Sequence, residues 1–238
     1  MSSVSVDSNK LKSLIGAYYD KRMLRILLLG IISGFPWVLI ASALSLWLKE
    51  EGLSRSTIGW AGLIFGVYAF NFLWAPIIDR IRLPFLTNKI GHRKSIILLM
   101  QTIILICLII WSVLEPTQNL ALIIGVGLAI AISSATQDIT IDALRIEQIK
   151  KEESASMAAG AAMAVVGWWT GFKLGGYVFL EIAEKLENSG VDQYWQVTFI
   201  FLMGIIVLCN VGLSFIPESN KERFQNILNT DASNTNVE

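Results

Sequence analysis

The 238-residue chain is 54% hydrophobic and 16% charged, with a mean hydropathy of +0.58. Soluble domains carry about 25% charged residues, so this composition excludes an ordinary soluble globule and implies a protein that crosses a membrane several times. Lys plus Arg equals Asp plus Glu at 19 each, which leaves no bulk electrostatic argument for a nucleic-acid partner.

Residues 1–22 read as a polar cytoplasmic segment. Within it Leu11, Leu14, Ile15, Tyr18 and Tyr19 recur at helical spacing and predict a short amphipathic helix lying on the inner leaflet. Six apolar stretches follow, near 23–48, 58–78, 95–114, 120–144, 156–180 and 196–216. Each is long enough to cross about 30 Å of hydrocarbon at about 1.5 Å per residue. The first is too long for a signal-peptide core and has no small-residue cleavage site behind it, so it reads as a retained span. All six are expected to be helices, because backbone exposed to lipid must satisfy its own hydrogen bonds. Residues 23–217 are thus the membrane bundle, and 218–238 a polar cytoplasmic tail with little to bury, expected to be disordered.

Placement of charge sets the expected orientation. Lys10, Lys12, Lys21, Arg22, Arg25, Arg80, Arg82, Lys89, Arg93, Lys94, Arg145, Lys150, Lys151, Lys221 and Arg223 fall on one side of the spans, against only Lys49, Arg55 and Lys185 on the other. That asymmetry predicts both termini in the cytoplasm. Trp47, Trp60, Trp111, Tyr194 and Trp195 fall at the opposite boundary, the pattern of an interfacial aromatic belt.

Enzymatic signatures are missing from the sequence. Cys107 and Cys209 lie in apolar runs, the single histidine His92 sits in a basic loop, and there is no P-loop or G-x-S-x-G. Neither an enzyme nor a metal or cofactor site is expected.

The polar residues inside the spans carry the functional signal. "SSATQDITIDAL" (133–144) places Asp138 and Asp142 on one helix face, beside Gln137 and above Arg145. Asp138 lies about 9 Å above the span's inner end, and intramembrane acids are costly enough to be functional candidates by default. Two readings stand. Asp138 binds a proton or a polar substrate group, or both acids join an inner-gate cluster with Asp79 and Arg80. Lys173, about 25 Å from the inner end of its span, either snorkels to the outer headgroups or offers a cavity cation to an anionic solute. Glycines 171, 175 and 176 permit close helix approach around it. Asn71 either bonds a neighbouring helix or meets substrate. Gly34 and Pro36 either kink the first span or permit packing, and Trp168 and Trp169 either pack or line a cavity.

"WAPIIDR" (74–80) and "GHRKS" (91–95) together resemble the signature loop of major facilitator transporters, with Asp79, Arg80, Gly91, Arg93 and Lys94 at the positions of a gate. Ala75 stands where that loop usually has Gly, and residues 82–90 are extra. "PESNKER" (217–223) resembles a second marker of the superfamily. "SGFPWVLIASALSLWLKEEGLSRSTIGW", "FLWAPIIDR", the long second loop and "SSATQDITIDAL", in that order, resemble the AmpG-type muropeptide permeases and the related acetyl-CoA transporters. The resemblance covers about residues 23–220. It implies an all-α fold: six membrane helices forming the N-terminal half, a three-plus-three inverted repeat, of a major facilitator-type transporter. It also implies proton-driven import of anhydro-muropeptides across a bacterial inner membrane. Family members have a second six-helix half, so a separate C-terminal half or a homodimer is an expected partner. The alternative is a truncated, non-transporting remnant or a membrane assembly protein.

Overall fold

The computed structural model describes residues 16–81, 83–149 and 153–218. The predicted amphipathic turn at Leu11, Leu14 and Ile15 lies outside the described residues, as does the tail from 219. Six long helices cover the expected stretches: α1 Lys21–Glu50, α2 Arg55–Leu73, α3 His92–Trp111, α4 Pro116–Glu147, α5 Ser154–Asn188 and α6 Tyr194–Ser214. Among the described residues there is no strand. Five of the six are long and apolar enough to cross a membrane. The exception is α5, which carries Lys173 within its span and packs on α1 through glycines.

That contact follows from glycine spacing. Gly30 and Gly34 of α1 face Gly167 and Gly171 of α5, and an added methyl on any of them would overlap main-chain atoms of the opposite helix, Trp168 for Gly34 and Ile31 for Gly171. Small residues every fourth position let two backbones approach this closely. Gly176 faces open space. Lys173, two residues from both Gly171 and Gly175, lies on the far side of α5 at about 100° per residue, so these glycines build the α1–α5 seam and not a pocket around the lysine.

Two helices are broken, each for a visible reason. In α1, Pro36 removes a ladder hydrogen bond, and a π-helical turn, Leu39–Ala43, follows at once. In α2, 3-10 turns at Gly62–Phe65 and Asn71–Leu73 interrupt the helix ahead of Pro76. The nine residues inserted in the second loop include a short helix, Pro84–Ile90, that stops at Gly91 in a left-handed conformation (φ 101°). Helix α5 continues past the expected end at 180, because its last turns carry helix-forming Glu and Lys residues, with Lys185 bonded to Glu181 one turn away.

The ends of the helices are identified by their contacts. At one end Arg22 meets Glu153 and Arg93 meets Glu147. At the other, the carboxylate of Glu50 accepts from Tyr194 Oη (2.6 Å) and Trp195 Nε1 (2.9 Å). The interfacial belt expected there forms only in part. Trp60 is exposed, but Trp47, Trp111 and Trp195 are buried in a cluster around Phe199, with ring centroids 5.0 Å (Trp47) and 5.4 Å (Trp111) away. Packing three helices together at that end removes more apolar area from water and headgroups than an interfacial position would, and offset aromatic pairs add to it.

Candidate functional site

Asp138 sits on the inward side of α4, where it meets the break in α1. Its carboxylate accepts from Ser33 Oγ at 2.6 Å and from Trp37 Nε1 at 3.4 Å. Both donors flank Pro36, so the kink aims them. Neither is charged. A serine hydroxyl can donate to a carboxylate or accept from a protonated carboxyl, so Ser33 suits both protonation states of Asp138. Beside it, Gln137 is fully buried and donates Nε2 to the Ile32 carbonyl at 3.0 Å, tying α4 to α1.

Asp138 opens onto a cleft of about 320 Å³ whose polar lining is Ser33, Asp138, Asp142 and Arg145, with Trp168 as its aromatic wall. Arg145 pairs with Asp142 at 3.0 Å. The cation therefore neutralises the outer acid of the pair and leaves Asp138 to its neutral donors. The cleft is unwalled on one side: Asp142 is 65% exposed, and Val165 and Trp169 stand open beside it. Above the acid, Trp37 packs against Tyr68 (4.3 Å), Phe65 (5.7 Å) and Trp168 (5.5 Å), and Trp168 stacks on Phe172 (5.6 Å). These faces are suited to stacking on sugar rings or other flat apolar faces.

A separate charged network closes the end where the loops gather. Arg93 donates Nε to Glu147 at 2.6 Å and pairs through Nη1 with Asp79 at 3.1 Å, joining the segment that follows α2 to α3 and α4. Glu218, 7% exposed, accepts from the backbone N–H groups of Arg93 (3.0 Å) and Lys94 (3.2 Å). A carboxylate on the N-terminus of α3 satisfies groups that the helix cannot pair itself and complements its dipole. Gly91 has no Cβ because the Glu218 carboxylate fills that space. The Lys94 ammonium bonds the Ile216 carbonyl at 2.8 Å, fastening α6 to α3.

The Major Facilitator Superfamily pattern matches residues 26–231. The chain belongs to that superfamily. It is 32% identical over 206 residues to a Rickettsia felis protein named as transporter AmpG 4, covering 87% of this chain and 48% of the relative. It is 30% identical over 201 residues to the anhydromuropeptide permease of Escherichia coli K12, covering 84% of this chain and 38% of the relative. A Rickettsia conorii protein named as transporter AmpG 1 is 31% identical over 218 residues, covering 91% and 51%. The chain thus spans about half the length of these relatives or less. It is a multi-pass membrane protein of a transporter superfamily, related to the AmpG permeases, with the six-helix fold of one major facilitator half.

The structure sorts the predicted site residues into distinct groups. Asp138, Asp142 and Arg145 line the cleft, and Asp79 and Arg93 share the charged network. Asp138 and Asp142 do not join Asp79 and Arg80 in one cluster, because Glu147, at the end of the same helix, occupies the place beside Arg93. Arg80 makes no ion pair among the described residues. Gln137 bonds α1 through Nε2 while its Oε1 is buried without a hydrogen-bond partner, and Asn71 lies half-buried in the 3-10 turn of α2 without an interhelical bond, one of the two roles open to it; Trp74 makes such a bond, to Thr136 at 3.1 Å. Lys173 is exposed, with its ammonium over the Trp169 ring at 5.6 Å. Sequence reasoning passed over Ser33, Trp37, Glu147 and Glu218. Glu147 carried a usable signal, since an acid in the last turn of a helix opposes the dipole and calls for a cation from elsewhere.

Proposed function

We propose that this chain is the N-terminal half of a proton-coupled permease of a bacterial inner membrane that imports peptidoglycan fragments of the anhydro-muropeptide class. In this reading Asp138 is the proton site, the aromatic wall from Trp37 to Phe172 receives the sugar rings, and the Asp142–Arg145 pair meets polar groups of the solute. The Asp79–Arg93–Glu147 network, with Glu218 on the α3 N-terminus, holds the cytoplasmic mouth in one state. Both termini face the cytoplasm, as the Lys/Arg asymmetry predicts. A second six-helix unit, supplied by a separate C-terminal half or by a second copy, completes the cavity wall; major facilitator sites lie near the midplane between such units, which rock about them.

The observation that carries the reading is the open-sided cleft in which an intramembrane carboxylate is held by two neutral donors next to a stacked aromatic wall. The length shared with relatives named as transporters or permeases supports it. The test is uptake of labelled anhydro-muropeptide into cells in which this chain is expressed with a C-terminal half. Asp138→Asn is expected to abolish pH-driven uptake while membrane insertion stays intact, and Asp142→Asn to retain proton coupling with altered kinetics. Equal, mild losses in both would move Asp138 out of the proton role.

A further inference from the structure

Trp37 occupies a junction between helices. Its indole N–H reaches the Asp138 carboxylate on α4, while its ring contacts Phe65 and Tyr68 on α2 and Trp168 on α5. Trp37 itself belongs to α1, so one side chain ties its own helix to three others. It also lies at the weakest stretch of α1, between Pro36 and the π-helical turn Leu39–Ala43. Breaks of this kind concentrate at functional positions and let the helix on either side move. At 3.4 Å the bond to Asp138 is long, and a small rotation of the ring would make or break it. The surroundings add further polar groups. The Tyr68 hydroxyl and Ser134 Oγ lie buried next to one another beside Asp138.

We infer that Trp37 is the positioning residue that couples solute occupancy to the proton on Asp138. A flat ring arriving on Trp168 displaces the edge contact between Trp168 and Trp37 (5.5 Å, planes at 73°). Trp37 then turns about the α1 kink, and its N–H leaves or approaches the carboxylate. Ser33 remains bonded in either state, so the acid is never left without a partner. Coupling of this form requires two arrangements of one element that both ligands bias. The aromatic stack supplies one ligand's handle and the indole N–H the other's. The inference rests on the proposed reading of Asp138 as the proton site.

The experiment reads Asp138 directly and needs no transport. The purified protein, with its C-terminal half present, is treated with a hydrophobic carbodiimide, which labels protonated carboxyls. Modification of Asp138 is then quantified by peptide mass spectrometry with and without anhydro-muropeptide, and solute binding is measured in parallel. In the wild type, solute is expected to change the labelling rate at least threefold. Trp37→Phe keeps an aromatic ring and loses the N–H; with labelling read at a solute concentration that saturates the variant's own measured binding, the solute-dependent change in labelling is expected to disappear. Trp168→Phe, which keeps an aromatic face, should retain the change. A Trp37→Phe protein that shows the wild-type response overturns the coupling role and leaves the proton site standing. A wild type that binds solute with no change in labelling, or binds none, overturns the proposed function and this inference with it.

Discussion

Replacing Gly171 by Ala isolates what the glycine seam contributes. A methyl group there would overlap the carbonyl, carbonyl carbon and Cα of Ile31 in α1, all main-chain atoms that no rotamer change can move. Overpacking a filled interface costs about 1–3 kcal/mol, and rigid backbone on the receiving side places this site at the upper end. Removing a glycine from a helix interior returns about 1 kcal/mol. The expected net loss is about 2 kcal/mol, equivalent to about 4–8 °C in melting temperature for a protein of this size. The matched control is five residues along the same helix. Gly176→Ala meets nothing within 4 Å and should be neutral or slightly stabilising. Thermal unfolding of both variants in the same detergent decides the matter. Equal melting temperatures for the two would refute the close α1–α5 contact.

Three further outcomes follow from other contacts. Glu218→Ala strips the α3 N-terminus of its buried carboxylate and leaves two backbone donors unpaired, a loss of about 2–4 kcal/mol; hydrogen exchange at Arg93 and Lys94 should accelerate, and unchanged protection would remove the cap. The hydrogen bond from Arg22 holds the Asp20 carboxyl below its ordinary range, so its stabilising contribution is present at neutral pH and lost as pH falls below about 4; the stability gap between wild type and Asp20→Asn should close over that range, and a gap that widens in acid would contradict the pairing. Reporter fusions after Lys89 and Glu153 should read cytoplasmic and fusions after Gly52 and Asn188 external, and one reversed loop would overturn the orientation.

Much of the fold is legible because lipid imposes a single rule on backbone, and apolar length announces each helix. The polar residues of α4 are legible for the same reason, since Asp138 stands out against its neighbours. What surrounds Asp138 is not. Ser33 and Trp37 lie 105 and 101 residues away in sequence, and nothing in "SGFPW" says that the Pro36 kink turns them toward another helix. The charged network was half legible. Asp79 and Arg93 flank one loop, but Glu147 and Glu218 arrive from distant helix ends and displace the acids expected there. The tryptophans at the far end misled because interface preference and core packing favour the same residue type, and only tertiary contact decides between them.

The central claim is that the cleft at Asp138 is half of a proton-coupled solute pathway. Reconstitution into vesicles with an imposed pH gradient tests it most directly. Residues 1–238 alone should give no gradient-driven accumulation of labelled anhydro-muropeptide, and a co-reconstituted C-terminal six-helix half should restore accumulation that Asp138→Asn abolishes. Accumulation by a strictly monomeric preparation of the 238 residues, or restored accumulation that survives Asp138→Asn, would contradict the account.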